Sequence, residues 1–379
     1  MSKSIWTICD KLLFSVCGVL IVNFFALYAQ QAPQFRGDLQ NTGVFSGPAP
    51  KHGKIKWKFR TGGIVVSSPV ADNGVVYFGS NDSHFYAVNI QNGELRWKFK
   101  TNRKIYAGSA IHGDGVYFGG TDKTFYALDI STGKLKWKVT ADDMFFASPI
   151  IFENKIYIGS GSSFVKPAKS DLYVLDLNEK GKLLTRFRAN GAIKKSAAIW
   201  SDNLYFKSRD HHVYAVNRKT KKGIWYYELK NHFSYGSVVV GHGQLYTTDD
   251  NGGLYALDLV KGKLKWKFEA RDRIDTTPAV TEDTVYFGSS DTILYALEAS
   301  TGKRKWRYKS ALPIRSSPVI SEETIYFAGD DKKVHALDMN TGKQKWQVQL
   351  GGITRCDSPY IAEGILFVGN NDHHLYAIE

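Results

Sequence analysis

DTVYFGSSDTILYALEASTGKRKW, residues 283–306, is a phrase that most of this chain repeats. Residues 285–288 and 294–297 are β-branched and aromatic runs parted by Ser289, Ser290, Asp291 and Thr292, which reads as two strands and a turn. Thr301-Gly302 then supplies a residue free to take positive φ, and residues 304–308 alternate charge with aromatic as a half-exposed outer strand does. Trp306 marks the register. Its counterparts are Trp57, Trp97, Trp137, Trp225, Trp266 and Trp346, at successive separations of 40, 40, 88, 41, 40 and 40. The interval of 88 holds one more unit, whose Gly181-Lys182 turn leads to Thr185 where Trp is expected, so there are eight units.

A period near 40 with four short strands per unit is the pattern of propeller blades, each too small to bury its apolar face without neighbours. The fourth strand of each unit is a segment such as Ala279-Val280 after Thr277-Pro278, which recurs after Ser68-Pro69, Ser148-Pro149, Ser317-Pro318 and Ser358-Pro359. With the strands of a blade lettered A to D, residues 56–60 are a D strand with no A, B and C before it. The chain ends on a C strand, residues 375–378, with no D after it. The expectation is an all-β, eight-bladed antiparallel propeller closed by pairing its N-terminal strand with its C-terminal one, which removes the open edge of an incomplete ring.

Residues 1–29 have the form of a secretory signal peptide: Lys3 and Lys11 bracket a polar start, residues 12–27 are nearly all apolar, and Ala29 precedes Gln30-Gln31-Ala32-Pro33. The alternative is a signal anchor, although about 16 apolar residues fall short of the ~20 of a usual span. Cleavage after Ala29 would leave a lead-in at 30–53 and the propeller at 54–379, in the periplasm or outside the cell. Cys9 and Cys17 leave with such a signal and Cys356 remains alone, so no internal disulfide is expected and stability must come from burial. The seven Trp residues are scaffold on this reading, each burying about 150–250 Å², and the third and fourth blades are expected to pack less tightly around Thr185.

The net charge of +14 raises nucleic acid or anionic glycans as partners. Its distribution argues against both. Lys54, Lys56 and Lys58 surround the first Trp, and Lys134, Lys136 and Lys138 or Lys303, Arg304, Lys305 and Arg307 do so later, a belt of outer-strand cations that discourages edge-to-edge pairing. No nucleic acid partner is expected, and a monomer is.

Departures from the repeat locate the candidate binding site. The turns between B and C hold Asp82, Asp122, Asp210, Asp291, Asp331 and Asp372 at one column, with Asn251 in the fifth unit, as residues that build tight turns. The third unit instead inserts residues 161–169, which include Phe164. Asp210-His211-His212 and Asp372-His373-His374 place adjacent histidines on opposite strand faces, so no metal site is expected. The connection from D into the innermost strand A varies most. Lys194, Lys195, Asp275, Arg315, Arg355 and Asp357 bring both signs of charge toward the axis, with Tyr106, Phe145, Phe146, Phe233 and Tyr235 between them. A wet channel that tolerates any residue would give the same irregularity. A ligand or peptide site is the sharper reading.

The unit Val-Tyr-Phe-Gly-Ser-x-Asp-x-x-x-Tyr-Ala-Leu-Asp-x-x-Thr-Gly-Lys-x-x-Trp resembles the pyrroloquinoline-quinone-type propeller repeat over about residues 54–379, and Pro33-Gln34-Phe35-Arg36-Gly37 resembles the lead-in of bacterial members. One branch of that family, the quinoprotein alcohol dehydrogenases, implies a quinone and a calcium ion over the channel, an adjacent cysteine pair and an axial Trp. The mature chain has only Cys356, and every Trp in it except Trp200 belongs to the blade column. The other branch, similar to BamB, implies a non-enzymatic accessory of outer-membrane β-barrel assembly. It fits the length and blade number, while the lipid-attachment cysteine is missing. The sequence therefore points to an exported, non-enzymatic scaffold without cofactor that binds envelope proteins, the β-barrel assembly machinery among them, and touches membrane only through partners or an uncleaved signal. A quinone-binding dehydrogenase-like protein or sensor is the alternative.

Overall fold

A computed structural model of the chain describes residues 33–162, 170–230, 235–354 and 358–379. The expected leader at 1–29, Phe164 of the third-blade insertion, and Arg355 and Asp357 of the rim lie outside the described residues. Eight antiparallel sheets follow one another along the chain, and the sixth is typical: Ala279–Val280, Thr284–Gly288, Ile293–Glu298 and Arg304–Lys309 pair in that order. B and C strands are buried on both faces because neighbouring blades cover them, which is why they read as near-continuous apolar runs. Outer strands alternate exposed and half-buried residues along their length. No helix among the described residues is long and apolar enough to cross a membrane.

The ring closes as expected. Ile55–Arg60 pairs antiparallel with His374–Ile378, with Lys58 opposite Tyr376 and Arg60 opposite His374, and so becomes the outer strand of the eighth blade. His52 and Lys54 N–H groups donate to the Glu379 carbonyl at 3.2 and 3.1 Å, and the Glu379 N–H returns a bond to the Lys54 carbonyl at 2.9 Å.

The Trp column joins each blade to the next. Trp266 donates its Nε1–H to the Ala299 carbonyl at 3.0 Å, and its ring lies over Gly302 of the following blade. A Cβ on Gly302 would fall 2.5 Å from that ring, and φ there is +73°, so the Thr-Gly-Lys turn needs glycine for two reasons. At the closing junction the lead-in supplies the glycine: Gly53 lies under Trp346, where a Cβ would come within 2.6 Å. Seven of these Trp residues face an alanine across the C–D ladder, as Trp306 faces Ala296, which leaves room for the indole.

The junction without a Trp is rebuilt rather than left loose, contrary to the expectation from Thr185. Thr185 faces Val174, so the volume lost on one strand is partly regained on its partner. The turn of the next blade has Lys221 at φ 61° where its counterparts have glycine, which is tolerable because no indole approaches. The tyrosine column shows what fills the gap. Tyr117 touches Trp137 at a centroid separation of 5.8 Å, whereas the hydroxyl of its equivalent, Tyr157, lies beside the Arg218 guanidinium. Arg218 reaches back from the fourth blade, its side chain 3% exposed, lies 4.6 Å over the Phe152 ring, and binds Glu153 with both terminal nitrogens at 2.5 and 2.9 Å. A charged, bidentate staple stands where an apolar one does elsewhere.

The lead-in is a structural part of the ring. The carbonyls of Pro33, Leu39, Gln40, Thr42 and Gly43 accept from Ile111, Ile199, Val240, Val280 and Ile320, and the Gln34 side chain accepts from Ile151. These six N–H groups sit at one position of the innermost strands in blades two to seven, near the turns from A to B. Val44–Phe45 then adds parallel to Val319–Ser321 as a fifth strand of the seventh blade. Arg36 starts from the strap beside the third and fourth blades. It ends against the sixth, seventh and eighth, donating to the carbonyls of Pro278 at 2.8 Å and Pro318 at 3.0 Å and to Ser358 Oγ at 3.2 Å. Its side chain therefore spans the channel.

A charged rim as the candidate functional site

The turns from B to C are built as their sequence implies. Asp291 accepts from the Ile293 N–H at 3.0 Å, from the Tyr295 hydroxyl at 2.7 Å, and from the Arg271 N–H of the preceding connection at 3.1 Å, so one carboxylate ties the turn to the strand before it. In the fifth blade this role belongs to Asp249 rather than to Asn251. The Tyr255 hydroxyl donates to Asp249 at 2.7 Å, and the Gly253 and Asn251 N–H groups do so at 2.7 and 3.0 Å. His212 and His374 hold their Nδ1 atoms 2.7 and 2.9 Å from the carbonyls of Asp210 and Asp372. Among the described residues no three carboxylate, imidazole or thiol groups converge on a point that a metal ion could occupy.

With those turns fixed, the connections from D to A present the variable residues. Arg315 bridges two carboxylates, donating from Nη1 to Asp275 at 2.9 Å and from Nε to Asp330 at 2.9 Å, and Arg273 Nε lies 2.9 Å from the same Asp275 oxygen. The other Asp275 oxygen is buried and has no hydrogen-bond partner among the described residues. Burial pushes the Asp275 carboxyl upward, against the pull of Arg273, Arg315 and Lys195. The opposite sector is aromatic and cationic. Lys194 Nζ lies 4.4 Å over the Phe146 ring, Phe146 meets Tyr106 at 5.6 Å, and Arg209 lies 5.8 Å over Tyr235, which is 44% exposed. Tyr106 holds this column in the second blade, because Gly108, whose N–H donates to Ser148 Oγ at 2.9 Å, stands where other blades have the repeated serine or threonine. Burial, reinforced by Arg209, lowers the Lys194 ammonium to about 8.

Sequence reasoning missed Lys207. It ends a B strand at the position held by Gly79, Gly119, Gly159, Gly288 and Gly369, where a Cβ would strike the next blade at 2.2–2.5 Å. The signal was present: Phe-Lys-Ser stands where the repeat has Phe-Gly-Ser. Lys207 is 6% exposed, and burial together with Lys195 brings it down to about 7 despite Asp249 and Asp250. Between pH 7 and the ordinary lysine range the unfolded chain holds a proton that the folded chain lacks, so this residue makes stability rise with pH across that window. Lys207→Met keeps most of the stem and removes the titrating amine. It is expected to flatten this rise of stability between about pH 7 and 10, read by urea unfolding at several pH values. An unchanged slope would place the amine in water.

The structure thus brings Asp275, Arg315 and Lys195 into one electrostatic network, and sets Lys194 over Phe146 within reach of the charge of Arg209, which lies over Tyr235. Paired charges beside exposed aromatic rings suit recognition of another surface. Among the described residues, guanidinium groups engage one oxygen of Asp275 and one of Asp330.

Comparison with solved structures finds the same fold at low sequence identity. A computationally designed protein, Ika8, matches with TM-score 0.74 and 14% identity over 86% of this chain and 99% of its own. A europium-containing methanol dehydrogenase matches with TM-score 0.73 and 15% identity over 91% and 89%. The quinohemoprotein alcohol dehydrogenase of Comamonas testosteroni matches with TM-score 0.76 and 13% identity over 91% and 79%. No curated protein matches the sequence. Two overlapping stretches, 48–227 and 209–378, fit the model of one sequence family and cover the whole propeller, so this chain belongs to the family of pyrroloquinoline-quinone-like repeats described as outer membrane protein assembly factor BamB.

Proposed function

We propose that the protein is an exported, non-enzymatic scaffold that binds cell-envelope proteins through the rim carrying the D-to-A and B-to-C connections, in the service of outer-membrane β-barrel assembly. The observation that carries this reading is the contrast between the ends of the channel. The strap of residues 33–45 lines one end with regular backbone bonds, while the other presents the Arg315–Asp275 network and exposed Tyr235. Membership of the BamB-described family supports the same role, and the leader-like residues 1–29 support export.

The fold likeness to alcohol dehydrogenases serves a quinone-binding protein or sensor equally well. Side chains favour the scaffold, because the rim carboxylates Asp275 and Asp330 are bound by arginine. Affinity capture from an envelope extract with the wild type, and again with Tyr235→Ala and Arg315→Ala together, tests the assignment. Loss of components of the β-barrel assembly machinery at an unchanged melting temperature is expected. Stoichiometric uptake of pyrroloquinoline quinone with Ca²⁺, followed by alcohol turnover, would overturn it.

A further inference from the structure

The cationic belt has a gap. At the positions just before, just after and three after the Trp column, the eighth blade has Lys56, Lys58 and Arg60 and the sixth has Lys305, Arg307 and Lys309. Each outer strand has at least one Lys or Arg at these positions except that of the fourth blade, where they are Ile224, Tyr226 and Glu228. We propose that the outer edge of the fourth blade, Gly223–Glu228, is a docking site for an extended, acidic segment of a partner protein that adds to the sheet as a further strand.

The edge has what strand addition requires. Among the described residues Gly223–Glu228 pairs only with His212–Asn217, so the strand is an edge with one row of backbone groups left for a further strand. Tyr226 is 69% exposed and Ile224 43% exposed, and both belong to the residue types that a cross-strand neighbour would cover. The His212 ring stands edge-on to Tyr226 at 5.4 Å and holds one side of that surface. A register irregularity between Gly223 and Trp225 leaves the regular stretch at Trp225–Glu228, enough to pair a short segment.

Charge selects the occupant. Exposed Lys221 and Lys222 precede the strand and exposed Lys230 follows it, and the chain carries +14 overall. A second copy would bring the same excess of positive charge, whereas an extended segment with apolar or aromatic residues at its centre and carboxylates at its ends complements both the strand and its flanks. This inference rests on the scaffold reading but uses a surface apart from the rim.

The test uses the full protein and a fluorescein-labelled peptide, Asp-Asp-Thr-Val-Thr-Tyr-Thr-Val-Asp-Asp, followed by anisotropy. Saturable binding that weakens with salt is expected, at least ~10-fold tighter than for the same peptide with lysine ends and lost when proline replaces the central tyrosine. Ile224→Glu and Tyr226→Glu together, both exposed positions, should weaken binding at least ~10-fold at an unchanged melting temperature, while Arg315→Ala leaves it alone. The proposal is overturned by non-saturating binding, by equal affinity for the lysine-ended peptide, or by indifference to the double substitution. A concentration-dependent dimer in sedimentation that Tyr226→Lys abolishes would overturn it in favour of a second copy. The rim capture experiment is read independently, so failure here and failure of the scaffold reading are distinguishable.

Discussion

A chain lacking residues 54–60 is expected to lose its single cooperative unfolding transition. That segment supplies the whole outer strand of the eighth blade, the tilted ring contact of Trp57 with Phe367 at 5.9 Å, and the edge-on contacts of Phe59 with Phe78 and Tyr86 in the first blade. Truncating either aromatic alone costs about 3–5 kcal/mol. Losing both approaches the total stability of a typical domain, about 5–15 kcal/mol. Each blade contacts only its neighbours, so the loss falls on both sides of the junction and frees the ends of the ring. Thermal unfolding followed by tryptophan fluorescence should broaden and shift strongly downward. A truncated chain that melts like the parent would contradict ring closure through this strand.

Arg36→Ala is the point substitution with the largest expected effect, a loss of about 3–5 kcal/mol. Arg36 is 1% exposed, and burial draws its guanidinium down to about 9. Its donors satisfy the carbonyls of Asn41, Pro278 and Pro318 as well as Ser358 Oγ, so alanine would leave several buried acceptors without a partner and a void on the channel axis. Urea unfolding with retained β-type far-ultraviolet circular dichroism is the measurement. A cost under about 1 kcal/mol would mean that the strap contributes little beyond its backbone bonds.

The blade count, the four-strand unit and the closing clasp were legible in the sequence because one indole recurs near every 40 residues and every strand must pack on an almost identical neighbour. The same regularity hid other features. Thr185 reads as a defect until Val174, Lys221 and Arg218, which lie on different strands and turns, are seen to compensate for it. Arg36 has no counterpart in the repeat, and nothing local tells that a lead-in residue will cross the axis to meet three blades near positions 278, 318 and 358. Half of the rim was visible as a break in periodicity. Lys207 was not, since it changes a single glycine inside an otherwise ordinary strand, and its meaning depends on the next blade.

Site-specific photo-cross-linking in intact cells addresses the scaffold assignment most directly. A photoreactive residue placed at Tyr235 or Arg209 on the rim, and as a reference at Lys98 on the outer strand of the first blade, reports which surface meets a partner. The account predicts adducts with β-barrel assembly components from the two rim positions and none from Lys98. Adducts from Lys98 alone, or none from the rim in a protein that is exported and folded, would contradict it.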